Sequence, residues 1–273
     1  MVKQRLFPTV EGTPQGGTIS PTLANATLDG MEKRLEERYA KRYMNGKLYY
    51  PKVHLVRYAD DFCVMADKRE TLEEIKVLLT EFLEKRGLTL SQEKTKITHV
   101  KDGFDFLGFN VRKYNGTLLI KPSKKSQKQF TEKLHDIIFS HKSVSQQVLI
   151  EKLNPVLRGW GNYYKHVVSK RVFSKTDHIL TLQLKSKSSR WIKDKYFIKI
   201  GSRDWKFGFN YEGGGKMHTF VLLKLADIPI ERYIKVKKDA NPFDPTWDAY
   251  FERRQKKGCR VRPVKVGTLS ESA

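Results

Sequence analysis

Two adjacent carboxylates, Asp60 and Asp61, are the side chains in this sequence best suited to chemistry. They lie between two short β-rich runs, 53–57 and 62–66, and this spacing predicts a hairpin with both acids at its tip. Neighbouring acids repel each other, and a divalent cation that prefers hard oxygen ligands, such as Mg²⁺, relieves that repulsion. Carboxylates in two-metal phosphoryl-transfer sites hold ions about 3.5–4 Å apart. By itself, however, an Asp-Asp pair is more often an exposed turn.

The elements that must position the acids can be predicted from hydrophobic spacing and turn residues. Paired glycines and a proline predict a loop over 12–17, and Ser20-Pro21 predicts the start of a helix that runs to about Tyr43. Further helices are predicted over 71–86 (with Gly87 beyond its end), 123–140, 145–168, 172–184, 188–196 and from a capping Thr246 to about 255. Further strands are predicted over 96–100, 104–109, 118–120, 204–211 and 219–224.

Net charge indicates a polyanionic partner. The chain of 273 residues has 53 Lys and Arg against 30 Asp and Glu, a formal charge of +23. Residues 1–120 contribute a net +4, and residues 121–273 contribute +19. A protein of this balance is expected to bind nucleic acid, with an affinity that falls about 10³–10⁵-fold between 50 and 200 mM salt if six to ten cations meet phosphates.

Composition also excludes several protein classes. No apolar run of about 18 residues is present, which predicts no membrane partner. The N-terminus lacks the apolar segment of a secretory signal, and Cys63 and Cys259 cannot form a CxxC zinc site. A reducing, cytoplasmic location fits these features best.

Four motifs follow one another in the first part of the chain: Gly-Thr-Pro-Gln-Gly-Gly with Ile-Ser-Pro, Arg-Tyr-Ala-Asp-Asp-Phe, Leu-Ser-Gln-Glu-Lys-Thr-Lys, and Phe-Leu-Gly-Phe. Over residues 11–110 this series resembles the second half of the reverse-transcriptase palm of group II intron-encoded proteins. Residues 153–164 (LNPVLRGWGNYY) resemble the maturase region of the same family, also called the thumb or X region. Residues 240–245 (ANPFDP) resemble the end of these proteins.

The resemblance implies an α+β fold in three parts. A partial reverse-transcriptase palm, an antiparallel sheet with helices, is expected over residues 1–121. A mostly helical thumb or maturase domain follows over 122–197, and a small, basic α+β extension follows over 198–273. Retron and CRISPR-associated reverse transcriptases would share the palm motifs, but the Arg-Gly-Trp-Gly-Asn-Tyr-Tyr run argues against those classes.

The resemblance also implies roles for residues that match the palm motifs. Asp60 and Asp61 correspond to metal-binding acids of the polymerase site. A loop near the templating base and incoming nucleotide, a lysine near the leaving pyrophosphate and a primer-grip strand complete the set. The matching residues are Pro14, Gln15, Gly16 and Gly17 for the loop, Lys94 for the pyrophosphate side, and Phe106, Leu107 and Gly108 for the primer grip. Each assignment has a purely structural alternative: the loop as an ordinary turn before a helix, Lys94 as a surface lysine, and the primer-grip strand as a core strand.

The maturase-like region mixes cations with aromatic residues. Cations can contact phosphates, and aromatic rings can stack on unpaired bases. Trp160, Tyr163 and Tyr164 have the spacing of one helix face, so a buried core role is equally consistent with the sequence. The candidates for RNA contact are Arg158, Lys165, Lys170 and Arg171.

The polymerase site of this family requires one more acid, on a strand before the Pro-Gln-Gly-Gly loop. Glu11 is the one acid before Gly12, and it adjoins the loop. The resemblance therefore implies a two-Mg²⁺ site with one carboxylate from outside this chain. The chain itself would then be the product of a truncated gene, a fragment, or one piece of a split protein whose other piece is a separate N-terminal reverse-transcriptase fragment.

Two functions remain open from the sequence. The first is a group II intron reverse transcriptase/maturase, a mobile-element nucleotidyltransferase that binds intron RNA, assists its splicing and copies an RNA template from a DNA primer. The second is a non-enzymatic RNA-binding remnant in which the palm is structural support. A decayed element without function is a third alternative.

We predict that the isolated chain is inactive in primer extension, because two metal ions cannot be held in register without the missing carboxylate. The measurement is Mg²⁺-dependent cDNA synthesis by the purified chain on an RNA template. Any synthesis above background would contradict the prediction.

Overall fold

The structure is a computed structural model that describes residues 17–140, 144–187, 196–200, 204–232, 236–237 and 240–256. Helices alternate with small antiparallel sheets, which confirms the predicted α+β class. None of the helices in the described ranges has the length and apolarity that a membrane crossing requires. The chain forms two compact units: one reaches Leu107 and includes Val111–Leu118, and the other combines Gly108–Asn110 with the residues from Leu119 onward.

The first unit is built from helices and two-stranded hairpins. Its helices are α1 (Ser20–Leu28), α2 (Met31–Arg38) and α3 (Arg69–Glu84). Its hairpins are β1 (Arg42–Met44) with β2 (Lys47–Tyr49), and β3 (His54–Tyr58) with β4 (Asp61–Met65). The next strands along the chain are β5 (Phe104–Phe106), β6 (Phe109–Tyr114) and β7 (Thr117–Pro122), which form a three-stranded sheet with β6 in the middle.

The second unit places three long helices beside a three-stranded sheet. The helices are α4 (Lys124–Ser140), α5 (Gln146–Tyr164) and α6 (Lys170–Lys187). The strands are β8 (Phe197–Ile200), β9 (Asp204–Gly213) and β10 (Lys216–Val221), and β9 pairs antiparallel with both neighbours. Two 3₁₀ turns, Leu225–Asp227 and Pro245–Trp247, precede α7 (Asp248–Lys256).

The core of the first unit fixes one face of the β3–β4 hairpin. Its buried residues come from the three helices and are Leu28, Met31, Leu35, Ile75, Leu79, Phe82 and Leu83. Phe62 and Val64 of β4 pack against this cluster. Because side chains alternate along a strand, Asp61 and Cys63 belong to the opposite face of the hairpin. The core therefore holds the strands and leaves the acidic end at the surface.

The predicted single helix from Ser20 to Tyr43 is wrong. Gly30 has a φ of +82°, in the left-handed region, and this residue separates α1 from α2. The strands β1 and β2 were not predicted, and Asn45 and Gly46 form the turn between them. Both turn residues have positive φ, 51° and 72°, as a two-residue hairpin turn requires.

Two predicted strands also differ from the structure. Residues 96–100 form no strand. Val100 O accepts a bond from Lys113 N at 2.9 Å, and His99 O accepts bonds from Asp102 N at 2.9 Å and Gly103 N at 3.3 Å in a local turn. The strand predicted over 104–109 is a hairpin, because Leu107 and Gly108 have φ values of +49° and +79° and form the turn between β5 and β6.

Most other predicted elements are confirmed. The helices α3 to α6 and the strands β7, β9 and β10 lie within a few residues of their predicted positions. Residues 188–195 of the helix predicted over 188–196 lie outside the described residues. The last helix begins at Asp248 rather than after a capping Thr246. Asp244 instead caps the preceding 3₁₀ turn, since its Oδ1 accepts a hydrogen bond from Thr246 N at 3.0 Å. Hydrogen bonds from Thr246 lower the pKa of the Asp244 carboxyl.

Apolar packing between the long helices forms the core of the second unit. Leu149, Ile150, Leu153 and Leu157 of α5 have no exposed surface. Trp160 lies one turn beyond Leu157, and its ring stacks on Phe130 of α4 with a centroid distance of 4.3 Å. Trp160 is therefore mainly a packing residue, as the helix-face alternative predicts.

A hydrogen-bonded node joins the β5–β6 turn to α4 and α5. The Tyr164 hydroxyl donates to the carbonyl of Gly108 at 3.0 Å and lies 2.6 Å from the Ser126 hydroxyl. The same carbonyl accepts a bond from Ser123 N at 2.8 Å. Burial raises the pKa of the Tyr164 phenol. A Cβ on Gly108 would lie 2.7 Å from Tyr164 Oη, so glycine is needed here for space as well as for its φ.

We predict that Gly108→Ala is more destabilising than Gly116→Ala. Both glycines hold a positive φ at the second position of a two-residue hairpin turn, but a Cβ on Gly116 would meet nothing within 4 Å. Gly116→Ala should cost about 1–2 kcal/mol, the cost of a Cβ in left-handed backbone. Gly108→Ala should cost about 1–3 kcal/mol more, because Tyr164 must move. Urea denaturation measures both free energies of unfolding.

A double variant separates the steric part of this cost. In a Tyr164→Phe background the hydroxyl that the new Cβ would meet is absent, so Gly108→Ala should cost about as much as Gly116→Ala. An unchanged excess cost in that background would contradict the assignment of the clash to Tyr164 Oη.

Candidate functional site

The predicted acidic turn is present at the end of the β3–β4 hairpin. Tyr58 pairs directly with Asp61, so Ala59 and Asp60 alone form the loop. Asp60 and Asp61 are both exposed, and Asp61 shares its face of the hairpin with Tyr58, of which 68% is exposed. The structure thus brings the two acids together at one accessible turn.

Arg57 braces this turn, a feature that sequence reasoning missed. Its Nη1 donates to the carbonyl of Ala59 at 3.1 Å and to Asn25 Oδ1 of α1 at 2.9 Å. Ala59 has a φ of +53°, a conformation that favours glycine and costs other residues about 1–2 kcal/mol. The position of Arg57, two residues before the loop, was the available signal, but its partner on α1 lies 32 residues away.

The acid pair fits part of a divalent-cation site. Two adjacent carboxylates are hard oxygen donors of the kind that Mg²⁺ prefers. Among the described residues, no group of three or more His, Cys, Asp or Glu side chains is arranged to hold a metal ion. Asp60 and Asp61 are thus two potential oxygen ligands, and the described residues place no third potential ligand of these types with them.

Cys63 lies on the same hairpin but has no catalytic character. Its thiol is partly buried, and burial raises its pKa. A thiol with a raised pKa stays protonated at neutral pH and is a poor nucleophile or metal ligand. The carboxylates, rather than this thiol, are therefore the candidate functional groups of the hairpin.

The loop predicted to lie near the nucleotide and the predicted pyrophosphate-side lysine are only partly within the described residues. Pro14, Gln15 and Gly16 lie outside the described residues, whereas Gly17 precedes α1 and its carbonyl accepts a bond from Ser20 N at 3.2 Å. Lys94 is exposed in a turn at 92–94. No hydrogen bond or ion pair within the described part of the chain joins Lys94 to either acid.

The three predicted primer-grip residues lie at the β5–β6 turn. Phe106 ends β5, and Leu107 and Gly108 form the loop, all three partly buried. The turn replaces the predicted continuous strand, so a grip here would be made by a loop held at the Gly108 carbonyl rather than by a strand.

The four predicted RNA-contact residues divide into two pairs. Arg158 and Arg171 are exposed on α5 and α6. Lys165 Nζ lies 3.0 Å from Glu231 Oε2, and Lys170 Nζ donates to the carbonyls of Ala226 at 2.5 Å and Ile228 at 2.8 Å. Both lysines thus bind the segment that follows β10, and sequence reasoning missed this structural role.

Asp177 of α6 binds the same segment. Its two carboxylate oxygens accept backbone bonds from Leu225 N at 2.9 Å and Ala226 N at 2.8 Å. Burial raises the pKa of Asp177 despite these two bonds, which lower it. A pKa raised on folding means that this carboxyl favours the folded state at low pH, and that the contribution is lost as pH rises through the folded-state pKa.

The structure distinguishes a core role from a surface role for the aromatic residues of α5. Tyr164 is 3% exposed and belongs to the core, whereas Tyr163 is 50% exposed and stacks on Phe109 with a centroid distance of 5.0 Å. Of the three rings, Tyr163 is the one with surface available to a nucleotide.

We predict that Lys170→Ala destabilises the protein and that Arg171→Ala does not. Lys170→Ala removes two charge-assisted hydrogen bonds and should cost about 1–3 kcal/mol. The neighbouring Arg171 is exposed, so its removal should change the free energy of unfolding by less than about 0.5 kcal/mol. Urea denaturation of both variants measures this, and equal losses would contradict the assigned difference.

Two family models match the chain. Residues 2–111 match reverse transcriptase (RNA-dependent DNA polymerase), a family of polymerases that depend on divalent metal ions. Residues 127–205 match the maturase-specific domain of group II introns. The first match contains the acidic turn, and the second contains Arg158, Lys165, Lys170 and Arg171.

Similar proteins include intron-encoded proteins. Protein YkfC of Escherichia coli is 37% identical over 37% of this chain and 32% of its own length. Group II intron-encoded protein LtrA of Lactococcus lactis is 27% identical over 53% of this chain and 33% of its own length. An uncharacterized 91 kDa protein in the cob intron of Schizosaccharomyces pombe is 26% identical over 60% of this chain and 29% of its own length.

The chain spans about a third of the length of these relatives. Its two family matches occur in the order that the motifs predicted, and they are separated by fewer than 20 residues around the start of α4. The chain thus carries a reverse-transcriptase domain followed by a group II intron maturase-specific domain, and it is similar to group II intron-encoded proteins.

Proposed function

We propose that this chain binds group II intron RNA through its second unit and contributes the Asp60–Asp61 turn to an RNA-directed DNA polymerase site. The observation that carries the proposal is that the acids of the reverse-transcriptase match stand exposed at a tight turn braced by Arg57. A carboxylate pair held in this way is accessible to a metal ion, to nucleotide phosphates, or to both.

Asp60 and Asp61 would hold Mg²⁺ together with a carboxylate from outside this chain. When bound, the ions would polarise phosphoryl oxygens and stabilise the charge that develops on them. The protein's own contribution at this turn is positional, because Arg57 holds the Ala59 carbonyl and the core holds Phe62 and Val64. A separate N-terminal reverse-transcriptase fragment is the proposed source of the further carboxylate.

The remaining palm roles are part of the same proposal. The loop Pro14 to Gly17 would pack near the templating base and incoming nucleotide, and Lys94 would lie on the pyrophosphate side. Phe106, Leu107 and Gly108 would contact the primer. The proposed division into palm (1–121), thumb or maturase domain (122–197) and basic extension (198–273) follows these roles.

Binding of intron RNA rests on the charge of the second half. Residues 121–273 carry a net +19, and Arg158 and Arg171 expose guanidinium groups that can contact phosphates bidentately. Lys165 and Lys170 would act mainly by holding the segment after β10. Splicing assistance requires that the chain bind the active RNA conformation more tightly than competing conformations.

A non-enzymatic RNA-binding protein is the second candidate function. It is favoured by the distribution of charge, since residues 121–273 carry a net +19 and residues 1–120, which contain the acidic turn, carry +4. Under this candidate the palm supports the RNA-binding unit, and the acids have no role in binding.

We predict that Asp60→Asn abolishes polymerisation but leaves RNA binding unchanged. The test mixes the chain with a separately expressed N-terminal reverse-transcriptase fragment and measures Mg²⁺-dependent primer extension and, in parallel, filter binding of group II intron RNA. Asp67→Asn, which also removes an exposed acid just after β4, is the matched control and should retain activity. Extension by the Asp60→Asn mixture would contradict the polymerase proposal.

We also predict that Arg158→Ala and Arg171→Ala each weaken intron RNA binding and each reduce the slope of log K against log salt by about one unit. Lys175→Ala, an exposed cation on the same helix as Arg171, tests whether the effect is specific to the proposed residues. Equal effects at all three positions would indicate a diffuse electrostatic surface instead.

A further inference from the structure

The β9–β10 hairpin exposes a stacked pair of rings that neither family match includes. Tyr211 of β9 lies directly opposite His218 of β10, and their rings stack with a centroid distance of 5.3 Å and an interplanar angle of 24°. Both residues are exposed, with 46% of Tyr211 accessible. The family matches end at residues 111 and 205, before this pair.

The pair rests on a rigid base. Phe209 and Phe220 form the next cross-strand pair on the same face of the hairpin, two residues closer to the core. Their ring centroids are 5.6 Å apart, and both side chains pack against the buried cluster of the second unit. Asn154 of α5 holds the strand end, because its side chain bonds Val221 O at 3.0 Å and Leu223 N at 2.8 Å. His218 Nε2 lies 3.1 Å from Gly213 O, which fixes the imidazole orientation. The exposed rings are therefore positioned before any ligand arrives.

Gly213 leaves the rim of the two rings uncovered. Its φ lies outside the left-handed region, and a Cβ would make ordinary contacts of 3.4 Å with His218 Cδ2 and 3.5 Å with Tyr211 Cε2. Neither backbone conformation nor space thus requires glycine here. A larger side chain at position 213 would lie against the rings of Tyr211 and His218. With glycine at this position, the edges of both rings remain accessible.

Charge is divided between the faces of the hairpin. Lys216 pairs with Gly213 and lies on the face that carries Tyr211 and His218. Glu212 pairs with Met217 on the other face. A ligand that stacks on the rings would therefore meet a cation and no carboxylate from these two strands between residues 205 and 221.

We propose that Tyr211 and His218 form a stacking site for an unpaired base of single-stranded RNA, with Lys216 placed to contact an adjacent phosphate. The inference rests on the proposed RNA binding and assigns one of its contacts. Exposed, preorganised rings beside a cation are the recurring means of holding single-stranded nucleic acid.

The test measures fluorescence anisotropy of labelled 12-nucleotide oligoadenylate and of a 12-base-pair RNA duplex with the full chain. Tyr211→Ala and His218→Ala should each weaken oligoadenylate binding about five- to a hundredfold, the range for one lost stack, and leave duplex binding unchanged. Tyr211→Phe keeps the ring and should bind like the wild type. Met217→Ala, which removes a side chain 69% exposed on the opposite face, is the matched control.

The outcomes separate this inference from the proposed function. If the wild-type chain binds duplex and oligoadenylate but both ring variants match it, the stacking site is wrong and RNA binding stands. If the ring variants weaken duplex and single-strand binding equally, the loss is not stacking and the inference also fails. If the wild-type chain binds neither RNA at low salt, both proposals fail. Thermal melting followed by circular dichroism confirms that each variant is folded.

Discussion

The second unit must fold against its own positive charge, and much of its structure follows from that constraint. Residues 121–273 carry a net +19, and self-repulsion on this scale opposes a compact state. The opposing stabilisation comes from apolar contact, since four leucine and isoleucine side chains of α5 are completely buried. Each contributes about 1.5–3 kcal/mol through burial, and salt does not screen this contribution. The core can therefore remain folded at salt concentrations that weaken electrostatic interactions at the surface.

The cations of the second unit occupy two kinds of position. Lys170 places its ammonium group on two backbone carbonyls, and Asp177 on the same helix binds two backbone N–H groups of the same segment. These contacts join α6 to the chain after β10 without requiring an ion pair between them. Arg158 and Arg171 keep their guanidinium groups at the surface. Some cations of this unit thus hydrogen-bond to the backbone and others lie exposed at the surface. Amino-acid composition does not distinguish these two environments.

The acidic hairpin could be predicted because its information is local: alternating apolar residues flank a short polar loop, and the pairing register follows. The break at Gly30 was missed because a glycine within a helical pattern is often tolerated. The β5–β6 turn was missed because Leu107 is not a residue that favours positive φ. The partners of Arg57 and Lys170 could not be predicted, since they lie 32 and 56 or more residues away. Sequence therefore located the acidic turn, and only tertiary structure showed how it is held.

The two motif turns share one physical device. Ala59 and Leu107 both adopt left-handed backbone that favours glycine, at about 1–2 kcal/mol each. Such strain persists where the surrounding structure over-determines the conformation. At the first turn Arg57 holds the Ala59 carbonyl, and at the second Tyr164 and Ser123 hold the Gly108 carbonyl. The two braces differ in origin, because Arg57 belongs to the acidic motif itself, whereas Tyr164 lies 56 residues beyond Gly108. Loss of the Tyr164 hydroxyl would therefore weaken the β5–β6 turn without changing any residue of its motif.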